Sequence, residues 1–190
     1  MKGGKWSEIK KRIAALAPKD QLALFKEVYD LSSECREFLS TKLQTEEEVI
    51  ANFSIYLDRA LEPFDIKGVL TKKELAKAKN TIRAFQKACS DHDAVVELML
   101  CFVEEGTKFT FDFGDMFEAY YLILEEVLTN LVSILKSRGG KQLYNDDRRT
   151  RFLELAEKAS VIGWGYGDFV GNQVADLEER FAKPGKRSLE

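Results

Sequence analysis

Apolar residues recur every three or four positions along most of this chain, which is the spacing of one face of an α-helix. The three clearest stripes do not show the alternation of apolar and polar residues that is typical of a strand. They consist of Val49, Ile50, Phe53, Leu57 and Leu61; of Leu75, Ala78, Ile82 and Phe85; and of Val95, Val96, Met99, Phe102 and Val103. The longest apolar run spans residues 115–138 and predicts a central helix. Further helices are predicted at about 7–16, 18–31, 34–44, 147–161 and 168–182.

The predicted helix ends carry recognisable signals. No proline lies between Pro63 and Pro184, and Pro18 suits the first turn of a helix. Three segments match a capping box, in which a side chain and a carboxylate three residues later bond free backbone amides; these are Thr45 to Glu48, Thr71 to Glu74 and Asp115 to Glu118. The sequence therefore predicts an all-α fold.

The connections between the predicted helices are short, which is typical of antiparallel helical hairpins. We predict a single domain over residues 1–182 with about eight helices, packed either as a compact bundle or as a short α-superhelix. We expect residues 183–190 to form a flexible tail, whose last residues, Leu189 and Glu190, remain from the expression vector.

Composition and charge exclude several classes of function. The 190 residues carry 29 Lys and Arg against 32 Asp and Glu, and this balance gives no electrostatic reason to bind nucleic acid. A single histidine removes most metal and acid–base arrangements, so we predict neither a metal nor a cofactor. No window approaches the ~20 apolar residues of a membrane span, and the start of the chain lacks the apolar stretch of a signal peptide. We therefore expect a cytoplasmic protein.

The residues that most often carry reactivity have inert contexts here. His92 lies at a helix start between Asp91 and Asp93, too close in sequence to its neighbours to form a catalytic triad, and we predict that it lies on the surface. The three cysteines are widely separated, form no C-x-x-C pair and lie in apolar helical contexts; they are Cys35, Cys89 and Cys101. We predict that they are reduced, buried thiols.

Several strings along the chain occur together and in a fixed order. They are Ala84-Phe85-Gln86-Lys87, Glu97-Leu98-Met99-Leu100, the segment from Phe102 to Thr110 with its Val-Glu-x-Gly string, Phe113-Gly114-Asp115 and Ile162-Gly163-Trp164-Gly165. With the opening from Leu16 to Leu39, this order resembles an uncharacterised bacterial all-helical family, known only as a domain of unknown function. The stretch 61–70 is shorter than that pattern, and 139–147 carries extra polar residues. The resemblance implies an all-helical fold and no particular activity.

An acidic cluster brackets three phenylalanines near the middle of the chain. Its carboxylates are Glu104, Glu105, Asp112, Asp115 and Glu118, and Phe109, Phe111 and Phe113 alternate between them. Oxygen ligands suit Mg²⁺ or Ca²⁺, but the spacing matches no EF-hand. We favour a structural interpretation, in which Asp115 and Glu118 cap a helix, Glu104 and Glu105 are solvated, and the rings join two helices from an extended linker.

The string from Gly163 to Asp168 is the most unusual in the sequence. Its glycines permit close backbone approach to a ligand, and Trp164 and Tyr166 offer flat faces for stacking. It follows a predicted helix rather than a strand, which excludes a Rossmann fingerprint, and the chain has no Walker loop. A structural interpretation is also open, with a helix C-cap at Gly163, Trp164 in the core and Asp168 as an N-cap. If a small-ligand site exists, we predict that Trp164, Tyr166 and Asp168 line it, together with Asp115 and Glu105.

Two classes of function remain. The first is a non-catalytic helical interaction or scaffold protein that binds a protein partner or forms a homodimer, which suits a chain with 13 Phe, 6 Tyr and 2 Trp. The second is a small-ligand binder or enzyme that combines the Gly163–Asp168 loop with the Glu104–Glu118 acidic region. The basic runs 10–12 and 148–151 are predicted to be solvated faces. The apolar stripe on the basic first helix suits packing on the domain, a partner or a membrane surface.

Overall fold

The computed structural model describes residues 5–65, 70–137 and 139–181, and these residues form ten α-helices and no strand. The helices are α1 (Trp6–Ala15), α2 (Pro18–Leu31), α3 (Ser33–Lys42), α4 (Glu46–Leu61), α5 (Lys72–Ala88), α6 (His92–Phe113), α7 (Glu118–Lys136), α8 (Gly140–Leu143), α9 (Asp146–Ala159) and α10 (Tyr166–Phe181). A short 3₁₀ turn, Glu62–Phe64, follows α4. The predicted all-α class is confirmed. The helix count exceeds the prediction, partly because residues 140–143 form a separate helix of one turn.

The chain divides into two compact units between Gln44 and Thr45. In the N-terminal unit, α2 packs against α3, and the side-chain amide of Gln21 donates hydrogen bonds to the carbonyls of Ile13 and Leu16 at the end of α1. The single domain over residues 1–182 stays a prediction. The predicted tail, 183–190, and the side chains of Val49 and Ile50 lie outside the described residues.

Three antiparallel hairpins build the C-terminal unit: α4 with α5, α6 with α7, and α9 with α10. Helix α7 is central, as predicted, because it contacts α5, α6, α8 and α10 and buries nine of its side chains. Leu124, Leu128 and Leu131 are fully buried along its length. Since burying a side chain of this kind contributes roughly 1.5–3 kcal/mol, α7 forms the main apolar seam of the unit.

The capping boxes at Thr45 and Thr71 are confirmed, since each threonine side chain and the glutamate three residues later bond the expected backbone amides. Pro18 begins α2, as predicted. The third capping box is wrong, because α6 continues to Phe113 and Asp115 lies in the connection to α7. Phe117 takes the N-cap position of α7 without a side-chain hydrogen bond.

The predicted extended linker with alternating phenylalanines is also wrong, since Phe109, Phe111 and Phe113 belong to the last turns of α6. The hydroxyl of Thr107 donates to the carbonyl of Val103 within this helix, which satisfies a buried polar group without breaking the helical hydrogen bonds. The ring of Phe109 packs against Phe64 of the 3₁₀ turn. These tertiary contacts favour two further helical turns over an extended segment.

Candidate functional site

The glycine-rich loop between α9 and α10 is a tight turn that presents a tryptophan to solvent. Trp164 has a φ of 61° and Gly165 a φ of 75°, so two consecutive residues adopt the left-handed region. The Trp164 side chain is 65% exposed, and the prediction that it packs in the core is therefore wrong. The turn thus leaves most of the Trp164 side chain accessible to solvent.

The predicted caps around this loop are displaced. Helix α9 ends with Ser160 at its C-cap rather than Gly163, and α10 begins at Tyr166, so Asp168 lies in the first turn instead of at the N-cap. A Cβ atom on Gly167 would lie 2.6 Å from the carbonyl oxygen of Ala159. The steric demand for glycine at Gly167 therefore comes from close packing of α10 on the end of α9.

Tyr166 is a buried packing residue rather than a wall of an open pocket. Its hydroxyl lies 2.7 Å from the hydroxyl of Thr107 on α6, and its ring centroid is 5.4 Å from that of Tyr121 on α7. The side chain is fully buried, and this burial raises the pKa of the phenol. Both its ring and its hydroxyl are thus engaged within the protein.

The remaining predicted site residues do not converge. Asp115 and Asp168 are exposed, and Glu105 forms an ion pair of 3.2 Å with Lys108 on the next turn of α6. Among the described residues, no hydrogen bond, ion pair or ring contact joins Trp164, Asp168, Asp115 and Glu105. The structure thus brings only Tyr166 of the loop into contact with α6 and α7, and it leaves the others apart.

A continuous series of ring contacts nevertheless places the loop and the acidic connection at the same end of the C-terminal unit. Successive ring centroids are 4.7 to 6.2 Å apart along Phe113, Phe109, Phe64, Tyr120, Tyr121 and Tyr166. The series joins the end of α6, the 3₁₀ turn and the starts of α7 and α10. We call the exposed aromatic residues of this region the aromatic end: Phe111, Phe113, Phe117 and Trp164.

A network of charges joins α6 to α9, and the prediction of a solvated basic face at residues 148–151 is wrong for its first member. Arg148 is 4% exposed, and its guanidinium donates to Asp93 Oδ1 at 2.7 Å, to Glu97 Oε2 at 3.3 Å and to the carbonyl of Leu143 at 3.0 Å. Arg149, by contrast, is exposed and pairs with Glu178 on α10. Arg148 therefore fixes the start of α9 against the start of α6.

Arg151 extends this network along α6. Its guanidinium binds both oxygens of Glu104, at 2.9 and 2.6 Å, and Oε1 of Glu97 at 2.6 Å. The prediction that Glu104 is solvated is therefore wrong. Burial disfavours the ionised form of Glu97, but the hydrogen bonds and charge of Arg151 outweigh that effect and lower the pKa of this carboxyl. The network is held by charge-assisted hydrogen bonds, which are stronger than neutral ones.

The sequence contained a signal for this network that we did not use. Acidic or thiol residues at 93, 97, 101 and 104 lie on one stripe of α6, and Arg148 and Arg151 lie three residues apart on α9. Spacings of three and four bring side chains to one helix face. Two such stripes of opposite charge predict a helix pair joined by ion pairs.

The thiol of Cys101 has a surrounding that disfavours its reactive, ionised form. Cys101 lies 3.4 Å from Glu97 Oε1, and burial together with that carboxylate raises the pKa of its thiol to about 11. It is thus protonated at neutral pH, and a thiol rather than a thiolate is a poor nucleophile. Cys89 is buried as predicted, whereas Cys35 and Cys101 are half-buried, and none of the three forms a disulfide.

A polar cleft between α5 and α7 is too small and too well paired to suggest a ligand. Its empty space of about 210 Å³ includes open solvent, and Met99 of α6 also lines it, so it is a shallow surface cleft rather than an enclosed ligand pocket. Glu126 on its rim accepts hydrogen bonds from Lys79, at 2.9 Å, and from Arg83, and these partners lower the pKa of the carboxyl. Within the described parts of the chain, no three His, Cys, Asp or Glu side chains are grouped to hold a metal.

The N-terminal unit has a different surface, because most of its apolar side chains are exposed. Of residues 5–44, only Thr41 is buried. On α2, Leu22, Phe25 and Tyr29 form one stripe at spacings of three and four, and Leu22 is 70% exposed. We call these three residues the α2 face. We predicted the helix but did not single out this stripe, although its spacing is visible in the sequence.

Comparison of the chain with protein-family models, with curated proteins and with solved structures finds no match. The resemblance to an uncharacterised bacterial helical family therefore stays a prediction. Over the described residues, none of the helices combines the length and the apolar character needed to cross a lipid bilayer. His92 is exposed at the start of α6, as predicted.

Proposed function

We propose that this protein is a non-catalytic helical interaction protein whose N-terminal unit binds a protein partner through the α2 face. The observation that carries the proposal is the exposure of Leu22, Phe25 and Tyr29 as one contiguous stripe. Large aromatic and aliphatic side chains of this kind form the centres of protein interfaces, where a few residues contribute most of the binding energy. An amphipathic helix with anchors at such spacings is a common recognition element.

Because the side chains of the α2 face are exposed, the free energy of burying them remains available for binding a partner. Burying a leucine or phenylalanine side chain contributes roughly 1.5–3 kcal/mol, so three anchors on one helix supply a substantial part of the favourable free energy that association requires. Lys26 and Asp30 flank the α2 face and form an ion pair at 2.5 Å, and the Lys26 ammonium lies 5.4 Å from the centroid of the Tyr29 ring. Charged side chains thus border the exposed apolar stripe, as they do at the rim of a protein interface.

No observation favours the alternative of a small-ligand binder or enzyme built from the Gly163–Asp168 loop. Tyr166 is buried and hydrogen-bonded to Thr107, and the thiol of Cys101 has a raised pKa. The carboxylates of Glu97 and Glu104 are bound by arginines on α9. These groups support packing of the helices rather than chemistry on a substrate. Cytoplasmic location and the lack of nucleic-acid binding stay predictions.

Site-specific photo-crosslinking in the producing cell tests the proposal. The photoreactive residue benzoylphenylalanine is placed at Phe25, and the matched control carries it at Ala23, which is exposed on the opposite side of α2 because two helical residues point about 200° apart. We expect a defined protein adduct from position 25 and none from position 23. The adduct partner, once identified and purified, should bind the protein in titration, and Leu22→Ser with Phe25→Ser should abolish that binding.

Three results would contradict the proposal. They are the absence of a protein adduct at position 25, the same adducts at both positions, and a crosslink only within the chain itself. A second copy captured at position 25 would support the proposal in its homodimeric form.

A further inference from the structure

The aromatic end is acidic as well as apolar. Residues 105–118 contain four carboxylates and one lysine, and that lysine, Lys108, pairs with Glu105. Asp112, Asp115 and Glu118 are exposed, and in the described part of the chain none of them has an ion-pair partner. Phe111 and Phe113 are exposed between these carboxylates. This surface therefore suits an occupant that is both apolar and basic.

Helix α1 has the reciprocal pattern. Residues 5–16 contain four basic side chains and one glutamate, with Trp6, Ile9 and Ile13 on one stripe at spacings of three and four. Trp6 and Ile9 are exposed, Ile13 is half-exposed, and no residue of α1 is buried. Among the described residues, the cations at 5, 10, 11 and 12 form no ion pair. This helix therefore needs an occupant that is apolar and acidic.

We propose that the aromatic end binds helix α1 of a second copy of this chain. The charge ratios of the two segments are opposite, four carboxylates to one ammonium against four cations to one carboxylate. Each segment also places exposed apolar side chains among its charges. Complementary charges orient and select the contact, while burial of Trp6 and Phe113 provides apolar contact area. The proposal concerns a surface separate from the α2 face and does not depend on it.

Charge reversal tests the proposal. One variant carries Lys5→Glu and Lys10→Glu, which flank the apolar stripe of α1 at spacings of three and four; a second carries Asp112→Lys and Asp115→Lys, and a third combines all four substitutions. We expect the wild-type protein to show a molecular mass that rises with concentration in sedimentation equilibrium. Each two-residue variant should weaken association by roughly tenfold or more, because like charges then face each other. The combined variant should recover association, because its charges are again opposite.

A matched control uses α9, where Glu154 and Glu157 are exposed. Glu154→Lys with Glu157→Lys makes the same change in net charge as the Asp112 and Asp115 variant, and it should leave association as in the wild type. Raising the salt concentration from about 0.05 to 0.5 M should weaken wild-type association, since the Debye length falls below 10 Å over this range. Circular dichroism of every variant should match the wild type, because all six substituted positions are exposed.

The proposal is overturned by a wild-type protein that stays monomeric at every concentration, by two-residue variants that associate like the wild type, or by a combined variant that does not recover. A monomer whose α1 variant only loses affinity for anionic lipid vesicles would show instead that α1 serves a membrane surface. An adduct at Phe25 remains a separate result, because it reports on the α2 face.

Discussion

Replacing Arg148 by methionine removes the buried guanidinium and keeps most of the apolar stem that packs around it. Removing one partner of a fully buried ion pair costs about 3–5 kcal/mol. The cost is lower here, because the Asp93 side chain is 63% exposed and Glu97 keeps its bond to Arg151. The carbonyls of Asp93 and Leu143 also lose a charged donor. We expect the free energy of unfolding to fall by about 2–3 kcal/mol.

Urea unfolding followed by circular dichroism measures this loss, because the C-terminal unit holds seven of the ten described helices and dominates the signal. The dependence of free energy on urea should keep its slope, so that a lower midpoint reports lower stability. Arg149→Met is the matched control: its exposed pair with Glu178 should matter far less. Equal losses of unfolding free energy in the two variants would refute the conclusion that Arg148 is the buried residue that joins α6 to α9.

The effect of Arg148 also has a defined pH dependence. Its hydrogen bond lowers the pKa of Asp93 from the ordinary 3.8, and this outweighs the opposing effect of burial. A carboxyl with a lowered folded pKa contributes stability above its unfolded pKa, and that contribution is lost as the pH falls through the folded value. The stability difference between wild type and Arg148→Met should therefore be constant near neutral pH and should shrink below about pH 4. A difference that grows in acid would contradict this account.

Three further predictions concern the loop and its surroundings. Trp164→Gly should leave the free energy of unfolding unchanged or raise it by up to about 1 kcal/mol, because the side chain is exposed and glycine relieves its left-handed backbone; a loss of about 3–5 kcal/mol would indicate a buried tryptophan. Tyr166→Phe should cost about 1–2 kcal/mol in urea unfolding by removing the hydroxyl bonded to Thr107, and no loss would contradict a buried hydrogen bond there. Gly167→Ala should lower the melting temperature, since its Cβ would meet backbone at 2.6 Å, whereas Gly171→Ala on the same helix meets nothing within 4 Å and should raise stability by about 0.5–1 kcal/mol. Equal effects of the two alanine substitutions would show that the α9–α10 approach is not close.

The helices were predictable where local rules and tertiary contacts agree. Thr45 and Thr71 satisfy their capping boxes, and each precedes a helix with apolar side chains in or against the core, such as Phe53 and Leu75. The same local pattern failed at Asp115, where Phe109 contacts Phe64 and Thr107 bonds Tyr166, 59 residues further along the chain. A capping signal contributes about 1 kcal/mol, so several long-range contacts override it. Pairings of this kind leave no trace in the local spacing of residues.

The orientation of the side chains at the candidate site was harder to predict than the helices. The glycines and aromatic residues of the loop indicated a ligand site, but composition does not determine whether Trp164 points inward or outward. Trp164 and Gly165 both adopt the left-handed region in this turn, and the Trp164 side chain is exposed there. The charge network was predictable in part: the acidic stripe of α6 and the arginines of α9 are visible in the sequence, but only the fold shows that Arg148 meets Asp93.

The buried polar groups and the exposed apolar side chains of this chain bear on the proposed function in different ways. Across the described residues, every buried side-chain nitrogen or oxygen has a hydrogen-bond partner. A preformed ligand site holds polar groups whose partner is the ligand, so such groups are the expected sign of one. The α2 face instead exposes apolar side chains to solvent. Exposed aromatic rings also lie among charged side chains on α1 and at the aromatic end. Surfaces of this type gain free energy by excluding water against another macromolecule, and they therefore support the proposal that this chain acts by association.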